Sequence, residues 1–169
     1  SIGAVEIDKR NPETVWVGTG EAWTRNSVSI GNGIYKTTDG GETWQHLGLD
    51  GSERIGDIRI DPRASDTVYA CVTGRLWSDS LERGVYRTRD GGQTWQQVLK
   101  APNASTGCAS LSMDEKNPDV LYAALWDFRR KGWTFRSGGE SPTAPSASAL
   151  MVTRDGGQTW TEVTPERNQ

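Results

Sequence analysis

The chain has 169 residues, of which 34% are hydrophobic and 20 are glycine, and its formal net charge is −3. The near balance of acidic and basic residues excludes a basic face for nucleic acid, and no apolar run is long enough to span a membrane. One histidine and two cysteines predict neither a metal centre, nor a cofactor site, nor a disulfide framework. Tryptophan is over-represented, because eight occur beside only two phenylalanines.

An eight-residue motif with an Asp-Gly-Gly core explains part of this excess, because it occurs three times and always ends in Thr-Trp. Its copies span residues 37–44, 88–95 and 153–160. A looser motif, an aspartate followed by a proline-containing turn, precedes each copy. Three copies of a two-motif unit indicate an internal repeat. The aspartates of the looser motif, spaced 53 residues apart, are Asp8, Asp61 and Asp114.

Each unit predicts four short strands, which we label A to D in chain order. Strand A alternates apolar and polar residues, and strand B is rich in β-branched and aromatic residues. Strand C precedes the Asp-Gly-Gly motif, and strand D begins at the motif tryptophan. A repeated four-stranded unit of about 50 residues is typical of a β-propeller blade. In the first unit, strands A, B and C are predicted at 5–7, 15–17 and 33–37. In the second unit they are predicted at 58–60, 68–70 and 84–88, and in the third at 111–113, 121–123 and 149–153.

The Asp-Gly-Gly motif has the chemistry of a tight turn between strands C and D. Its glycines tolerate backbone angles that other residues avoid, and its aspartate is expected to accept hydrogen bonds from the turn's own N–H groups. The threonines are expected to add local bonds, and the tryptophan is expected to pack on the neighbouring sheet. A catalytic or metal-binding cluster of the three box aspartates is disfavoured, because equivalent turns of successive blades lie far apart around a ring. The predicted structural residues are Asp39, Trp44, Asp90, Trp95, Asp155 and Trp160.

The motif Ser/Thr-x-Asp-x-Gly-x-Thr-Trp resembles the Asp-box, or BNR, signature of sialidases, sortilin-type domains and xyloglucanase-like hydrolases. The whole chain is similar to bacterial sortilin (Vps10)-like and BNR-repeat glycosyl hydrolase proteins, notably in residues 17–23, 83–88 and 125–139. This resemblance implies an Asp-box β-propeller and a secreted or periplasmic location. It leaves the activity open, because the family contains both receptors and hydrolases.

We therefore expect an all-β fold, namely a β-propeller segment of three four-stranded antiparallel blades with Asp-box C–D turns. The predicted blades of this partial propeller are residues 1–50, 51–103 and 104–169. Three blades do not close a ring, and the two end sheets would expose apolar faces. The expected partners are therefore the remaining blades of a longer chain. Self-association of several copies is the alternative.

The predicted ligand site lies on the B–C loops, which differ among the blades while the turns at the other end repeat. Variable loops on a rigid scaffold commonly carry binding residues. Tryptophan and arginine suit sugar stacking, peptide docking or carboxylate capture. The alternative for Trp23, Trp77 and Trp126 is a structural role as plugs between blades. The candidate ligand-binding residues are Trp23, Arg25, Trp77, Arg83, Trp126, Arg129, Arg130 and Trp133.

The leading functional hypothesis is a binding module that holds a peptide or a glycan on these loops. The alternative is that the chain is part of a polysaccharide-acting, xyloglucanase-like glycoside hydrolase whose active site is completed by other blades. Such an enzyme needs two carboxylates around the scissile bond. The resemblance to xyloglucanase-like enzymes suggests Glu21, because it follows strand B of an early blade. Asp57 is a second candidate, because strand A faces the central channel.

Two further expectations concern side-chain environment. Cys71 and Cys108 are expected to be separate buried thiols rather than a disulfide, because buried free cysteine is common. Arg129 and Arg130 are expected to be surface residues whose replacement leaves folding nearly intact. The same loop combines positive charge with aromatic rings, which favours an acidic or carbohydrate ligand.

Overall fold

The computed structural model describes residues 1–139, 141 and 143–163, and antiparallel β-strands form most of it. Blade 1 contains β1 (Ile2–Ile7), β2 (Val15–Thr19), β3 (Ile34–Thr37) and β4 (Gln45–His46). Blade 2 contains β5 (Ile55–Asp61), β6 (Ala64–Val72), β7 (Gly84–Thr88) and β8 (Gln96–Lys100). Blade 3 contains β9 (Thr106–Met113), β10 (Leu121–Lys131), β11 (Thr134–Ser137), β12 (Ala149–Thr153) and β13 (Thr161–Glu162).

The predicted all-β propeller segment of three antiparallel blades is confirmed. Each sheet is formed by strands A to D in chain order, and in blade 3 the additional strand β11 pairs with the distal half of β10. One 3-10 turn, Asp50–Ser52, connects the first two blades. The end of the third predicted blade, residues 164–169, lies outside the described residues. Across the part of the chain described above, no helix has the length and apolar character that a membrane crossing requires.

The three Asp boxes have the same hydrogen bonds. In the second box the Thr88 hydroxyl donates to Asp90 Oδ1 at 2.7 Å, and the Thr94 N–H and hydroxyl donate to the two Asp90 oxygens at 2.9 and 2.6 Å. The Gly92 N–H donates to Thr88 Oγ1 at 2.9 Å, and both box glycines have positive φ. The predicted Asx-type turn is thus confirmed, and each box aspartate is held by donors from its own turn.

Packing between blades depends on the tryptophan of each box. Trp95 of blade 2 lies edge-on to Trp16 of blade 1, with ring centroids 6.1 Å apart, and its Nε1 donates to the Leu47 carbonyl at 2.8 Å. Trp160 of blade 3 packs against the core that contains Tyr69 of blade 2, but its Nε1 has no hydrogen-bond partner among the described residues. The two interfaces contain separate apolar clusters, one between blades 1 and 2 and one between blades 2 and 3.

The A–B turns and the Asp boxes share the lower end of the molecule, as alternating strand direction predicts. In every blade the N–H of the first box glycine donates to a carbonyl of the A–B turn, at 3.0 to 3.1 Å. Adjacent blades are also joined at this end, because the Tyr69 hydroxyl donates to the Gly156 carbonyl at 2.9 Å. Arg63 of blade 2 forms a 2.7 Å ion pair with Asp119 of blade 3.

The expectation of two free thiols is wrong, because Cys71 and Cys108 form a disulfide between blades 2 and 3. Cys71 lies on strand B of one blade and Cys108 on strand A of the next, and both side chains are fully buried. Face-to-face packing brings their Cα atoms to 5.2 Å, within the range that a disulfide spans. Spacing along the chain carries no information about this distance between sheets.

Replacing both cysteines by alanine should lower the free energy of unfolding by about 2–4 kcal/mol, because the bond closes a loop of 37 residues in the unfolded chain. Urea unfolding with and without reductant measures this change. Reductant should shift the midpoint of the wild-type chain and leave that of Cys71→Ala/Cys108→Ala unchanged. A wild-type midpoint insensitive to full reduction would contradict the stabilising role.

The Asp boxes should make stability fall in acid. Hydrogen bonds from Thr94 lower the pKa of Asp90 to about 2 in the folded chain, below its unfolded value of 3.8. The contribution of this carboxylate is therefore complete above about pH 4 and is lost as the pH falls towards 2. Thr94→Val, which removes a donor, should show weaker acid sensitivity in urea midpoints measured at pH 6, 4 and 2.5. The control is Thr38→Val, an exposed threonine beside the first box aspartate.

Candidate ligand-binding face

The B–C loops and the D–A links share the upper end of the molecule. The Gly20 N–H donates to the Ser1 carbonyl at 2.9 Å, and the Gly31 N–H donates to the Glu53 carbonyl at 2.8 Å. We call the surface formed by the loops 20–33 and 73–83 and by the β10–β11 hairpin the upper face.

The longest B–C connection contains a β-hairpin where the sequence suggests a loop. Strand β10 continues past the edge of blade 3, turns at Gly132 and pairs with β11. Arg129 lies opposite Arg136, and Lys131 lies opposite Thr134. The sequence predicts only residues 121–123 of β10 as strand B, because no further run of β-branched residues marks the extension.

This hairpin crosses blade 2 and reaches blade 1. The Arg130 N–H donates to the Leu76 carbonyl at 3.3 Å, and the Arg129 side chain forms an ion pair with Asp79. Beyond these contacts, Arg130 Nε donates to Asn26 Oδ1 at 2.6 Å. One element of blade 3 therefore holds the loops of all three blades together, which gives the upper face a defined shape.

The two faces of the hairpin differ in chemistry. Trp126 packs on Phe128 and Phe135 at centroid distances of 4.9 and 5.5 Å, and its Nε1 donates to Ser137 Oγ at 2.7 Å. The opposite face lines a shallow cavity of about 240 Å³ and is basic. The cavity is lined from this face by Arg129, Lys131, Thr134 and Arg136, and Phe135, whose ring packs on Trp126, borders it.

Buried Asp127 fixes the base of the hairpin. Its carboxylate accepts the Ser105 hydroxyl at 2.7 Å and the Ala147 N–H at 3.2 Å, and lies 3.2 Å from Arg136. Burial alone would raise the pKa of Asp127, but the hydrogen bonds from Ser105 and Ala147 and the charge of Arg136 lower it. The group therefore remains ionised and acts as an anchor. The sequence indicates an acid here but not its burial.

Arg83 is not available to a ligand in this structure, which corrects its place among the candidate binding residues. Its side chain is completely buried, stacks on Phe128 at 4.8 Å and donates to the Thr73 carbonyl at 2.8 Å. Burial and the nearby charge of Arg54 lower its pKa to about 10. Arg83 thus connects the blade 2 loop to the hairpin. In the sequence it looks the same as an exposed loop arginine.

Three of the candidate tryptophans are exposed on the upper face. The exposed fraction is 76% for Trp23, 44% for Trp77 and 94% for Trp133, which lies at the hairpin turn. The alternative that Trp23 plugs a gap between blades is therefore wrong, whereas for Trp77, which is more than half covered, a structural role stays a prediction. Trp126 is half-buried within the hairpin's own aromatic cluster.

The candidate carboxylates lie in different surroundings. Glu21 and Arg25 in the blade 1 loop form an ion pair at 2.5 Å. Asp57 on β5 pairs with Arg59 at 2.8 Å and accepts the Leu111 N–H at 3.0 Å. Among residues 1–139, 141 and 143–163, no contact joins the two carboxylates, and no group of three or more His, Cys, Asp or Glu side chains is placed to hold a metal.

The family is shown by comparison with known proteins. The family model Sortilin-Vps10, described as sortilin, neurotensin receptor 3, matches residues 32–169. The chain belongs to this family. It is also 24% identical over 96% of its length to a xyloglucanase of Paenibacillus sp., and 25% identical over 99% to an oligoxyloglucan-reducing end-specific xyloglucanase of Emericella nidulans. These matches cover 16% and 21% of the two relatives, so this Sortilin-Vps10 chain spans about a fifth of their length or less.

Solved structures support the propeller fold of this Sortilin-Vps10 member. An ancestral GH74 enzyme matches 97% of the chain with a TM-score of 0.68 and 19% identity, and the chain covers 20% of that protein. The Xanthomonas campestris GH74 xyloglucanase matches 98% with a TM-score of 0.64 and 14% identity, with 23% of its chain covered. At these identities the similarity shows the fold and no more.

Replacing Arg129 and replacing Arg130 should change the free energy of unfolding by different amounts, because the two side chains have different environments. This differs from the expectation that both are surface residues. Arg129→Ala should lower the free energy of unfolding by about 1–2 kcal/mol, because it removes a nearly buried side chain together with its ion pair to Asp79. Arg130→Ala should change it by no more than about 0.5 kcal/mol. Trp126→Ala should lower the free energy of unfolding by about 2 kcal/mol, because the tryptophan ring is half-buried. Urea unfolding measures all three, and equal midpoints for the two arginine variants would contradict the proposed role of the Arg129–Asp79 pair.

Proposed function

We propose that this chain is a propeller segment that binds an oligosaccharide on its upper face. The observation that carries the proposal is the exposure of Trp23, Trp77 and Trp133 on loops that the hairpin connects. Exposed indole rings on one surface suit stacking against the apolar faces of sugar rings. Trp133 at the hairpin tip is 94% exposed, so its ring contributes little to packing and is accessible to a ligand.

Polar groups beside these rings suit the sugar hydroxyls. Arg25 lies two residues from Trp23 and is exposed, and its partner Glu21 leaves carboxylate oxygen for further hydrogen bonds. Lys131 lies two residues from Trp133 and lines the basic cavity of the hairpin. Stacking supplies affinity in this arrangement, and the charged groups orient the ligand through directional hydrogen bonds.

The relatives named as xyloglucanases support a glucan as the ligand class, so a xyloglucan oligosaccharide is the first ligand to test. A peptide is the alternative ligand of the same face. We further propose that the chain is exported, because the disulfide between Cys71 and Cys108 persists most readily in an oxidising compartment.

A second candidate function is part of a glycoside hydrolase, favoured by the same xyloglucanase relatives. Glu21 on the upper face and Asp57 on β5 remain the candidate carboxylates. Each is paired with an arginine, Glu21 with Arg25 at 2.5 Å and Asp57 with Arg59 at 2.8 Å. The proton donor of such an enzyme would have to come from another part of the ring. Xyloglucan hydrolysis by an assembly that supplies the remaining blades, lost in Glu21→Gln or Asp57→Asn, would separate this function from binding alone.

Replacing Trp133 by alanine should weaken oligosaccharide binding about tenfold while leaving the melting temperature unchanged, because the ring is exposed and contributes little to packing. Trp23→Ala should act in the same direction. Calorimetric titration with a xyloglucan oligosaccharide measures both. The control is Ile30→Ala, an exposed apolar residue in the same loop as Trp23 that has no ring to stack. The proposal fails if the wild-type chain binds no oligosaccharide at millimolar concentration, and peptide binding would then support the alternative.

A further inference from the structure

The positive charge of the upper face is concentrated in the hairpin. Loops 20–33 and 73–83 each contain as many acidic as basic residues. The hairpin segment 126–137 contains four cations and a single acid, although the net charge of the whole chain is −3. An excess of positive charge confined to one element of an acidic chain attracts an anionic ligand to that element.

The register of the hairpin brings three of these cations together. Arg129 lies opposite Arg136, and Lys131 lies opposite Thr134. Directly opposed residues of an antiparallel pair share a face, and so do residues two positions apart on one strand. The four side chains therefore converge on the cavity of about 240 Å³ that they line. Arg130, the fourth cation, belongs to the opposite face.

One positive charge of this cavity has no partner within the chain. The Arg129 side chain pairs with Asp79, and Arg136 Nη1 lies 3.2 Å from the Asp127 carboxylate. Lys131 is exposed and forms no ion pair with any residue among 1–139, 141 and 143–163. The Nε and Nη2 atoms of Arg136 form no hydrogen bond with that part of the chain either. The cavity thus has one unbalanced charge and donors that a ligand can use.

The cavity belongs to one element of this chain, so its chemistry does not depend on further blades. Asp127 fixes the base of the hairpin, and the Thr134 hydroxyl donates to the Lys131 carbonyl at 2.8 Å across the turn. Pockets that enclose a whole small ligand measure about 300–1,000 Å³. A cavity of about 240 Å³ therefore fits one residue of a longer ligand, beside the exposed Trp133 of the same turn.

We propose that this cavity binds the carboxylate of a uronic acid residue, so that the oligosaccharide held by the upper face is acidic. The inference rests on the proposed oligosaccharide function and specifies the class of sugar. A uronate carries one negative charge, which equals the unbalanced charge of the cavity, whereas a phosphate monoester carries about −1.5 to −2. The Lys131 ammonium and the free Arg136 N–H groups donate to its carboxylate oxygens in charge-assisted hydrogen bonds.

The position of the carboxylate on the sugar ring favours a uronate over a peptide acid. The carboxylate is bonded directly to the pyranose ring, so a single residue presents an apolar ring face to Trp133 and its charge to Lys131, two residues away. An aspartate or glutamate side chain has the same charge but no ring to stack. Stacking and ion pairing thus act on one sugar residue.

Calorimetric titration with a matched pair of sugars tests the inference. One compound is a xylo-oligosaccharide that carries a single glucuronate, and the other is the same compound after reduction of its carboxyl group to an alcohol. The acidic compound should bind about tenfold more tightly at low salt. The ratio of the two affinities should fall as salt rises from about 20 to about 300 mM, because exposed charges are screened.

The outcomes separate this inference from the proposed function. Equal affinities for the acidic and the reduced compound overturn the inference and leave oligosaccharide binding intact. Binding of a neutral xyloglucan oligosaccharide but of neither matched compound also overturns the inference alone. If none of the three sugars binds, both proposals fail.

Substitutions locate the carboxylate in the cavity. Lys131→Gln, which removes the charge from an exposed side chain of similar length, should reduce the affinity ratio to about twofold or less and leave the melting temperature unchanged. Trp133→Ala should weaken both compounds by the same factor. The control is Lys116→Gln, an exposed lysine in the A–B turn at the lower end, which should keep the full ratio. A full ratio in Lys131→Gln, or a reduced one in Lys116→Gln, overturns the assignment.

An acidic peptide is the competing occupant of the cavity. The probe is a capped hexapeptide of alternating glutamate and serine, titrated into the wild-type chain and into Lys131→Gln. The inference predicts that this peptide binds more weakly than the glucuronate compound. A peptide that binds the wild-type chain more tightly than the glucuronate compound, and loses this affinity in Lys131→Gln, overturns the assignment of a sugar.

Discussion

The fold depends on one constraint: each blade is a thin sheet that must bury both of its faces against neighbouring blades. A sheet of four short strands has no core of its own, so its apolar residues are stabilised only by the blade on either side. The box tryptophan meets this requirement by crossing the interface, as Trp95 does over Trp16. The box turn is rigid because threonines hold its aspartate, and this rigidity places the indole ring accurately.

The same constraint explains why the lower end of the molecule repeats from blade to blade while the upper end varies. At the lower end the boxes and A–B turns must fit the next blade, so their geometry repeats from blade to blade. At the upper end the loops differ in length and residue type. The proposed ligand site lies there, on a scaffold fixed by the opposite end. The hairpin turns three separate loops into one surface through Arg129, Arg130 and the anchor Asp127.

Buried arginines are a feature of blade 2. Arg83 and Arg87 lie inside the upper and lower ends of its sheet, and both donate to backbone carbonyls. A guanidinium has several donors in one plane, so it can satisfy carbonyls from two neighbouring segments at once. Arg83 also stacks on Phe128 of blade 3, which joins the polar and aromatic contacts at the blade 2–blade 3 interface.

The repeat, the strand order and the turn chemistry were predictable from the sequence, because each depends on residues close together in the chain. Asp90 and Thr94 lie four residues apart, and the β-branched and aromatic residues at Val68 and Tyr69 indicate a strand without reference to any other blade. The candidate face was predictable for the same reason, since loops 20–33 and 73–83 interrupt the repeated pattern.

Contacts between blades were decided only by the tertiary structure. The disulfide between Cys71 and Cys108 depends on a separation of 5.2 Å between Cα atoms of different sheets, which spacing in the chain does not encode. The burial of Arg83 likewise depends on where the hairpin that contains Phe128 crosses blade 2. A sequence determines the period and local geometry of each blade. Which side chains become covered depends on how the blades are stacked and on where the β10–β11 hairpin lies across them.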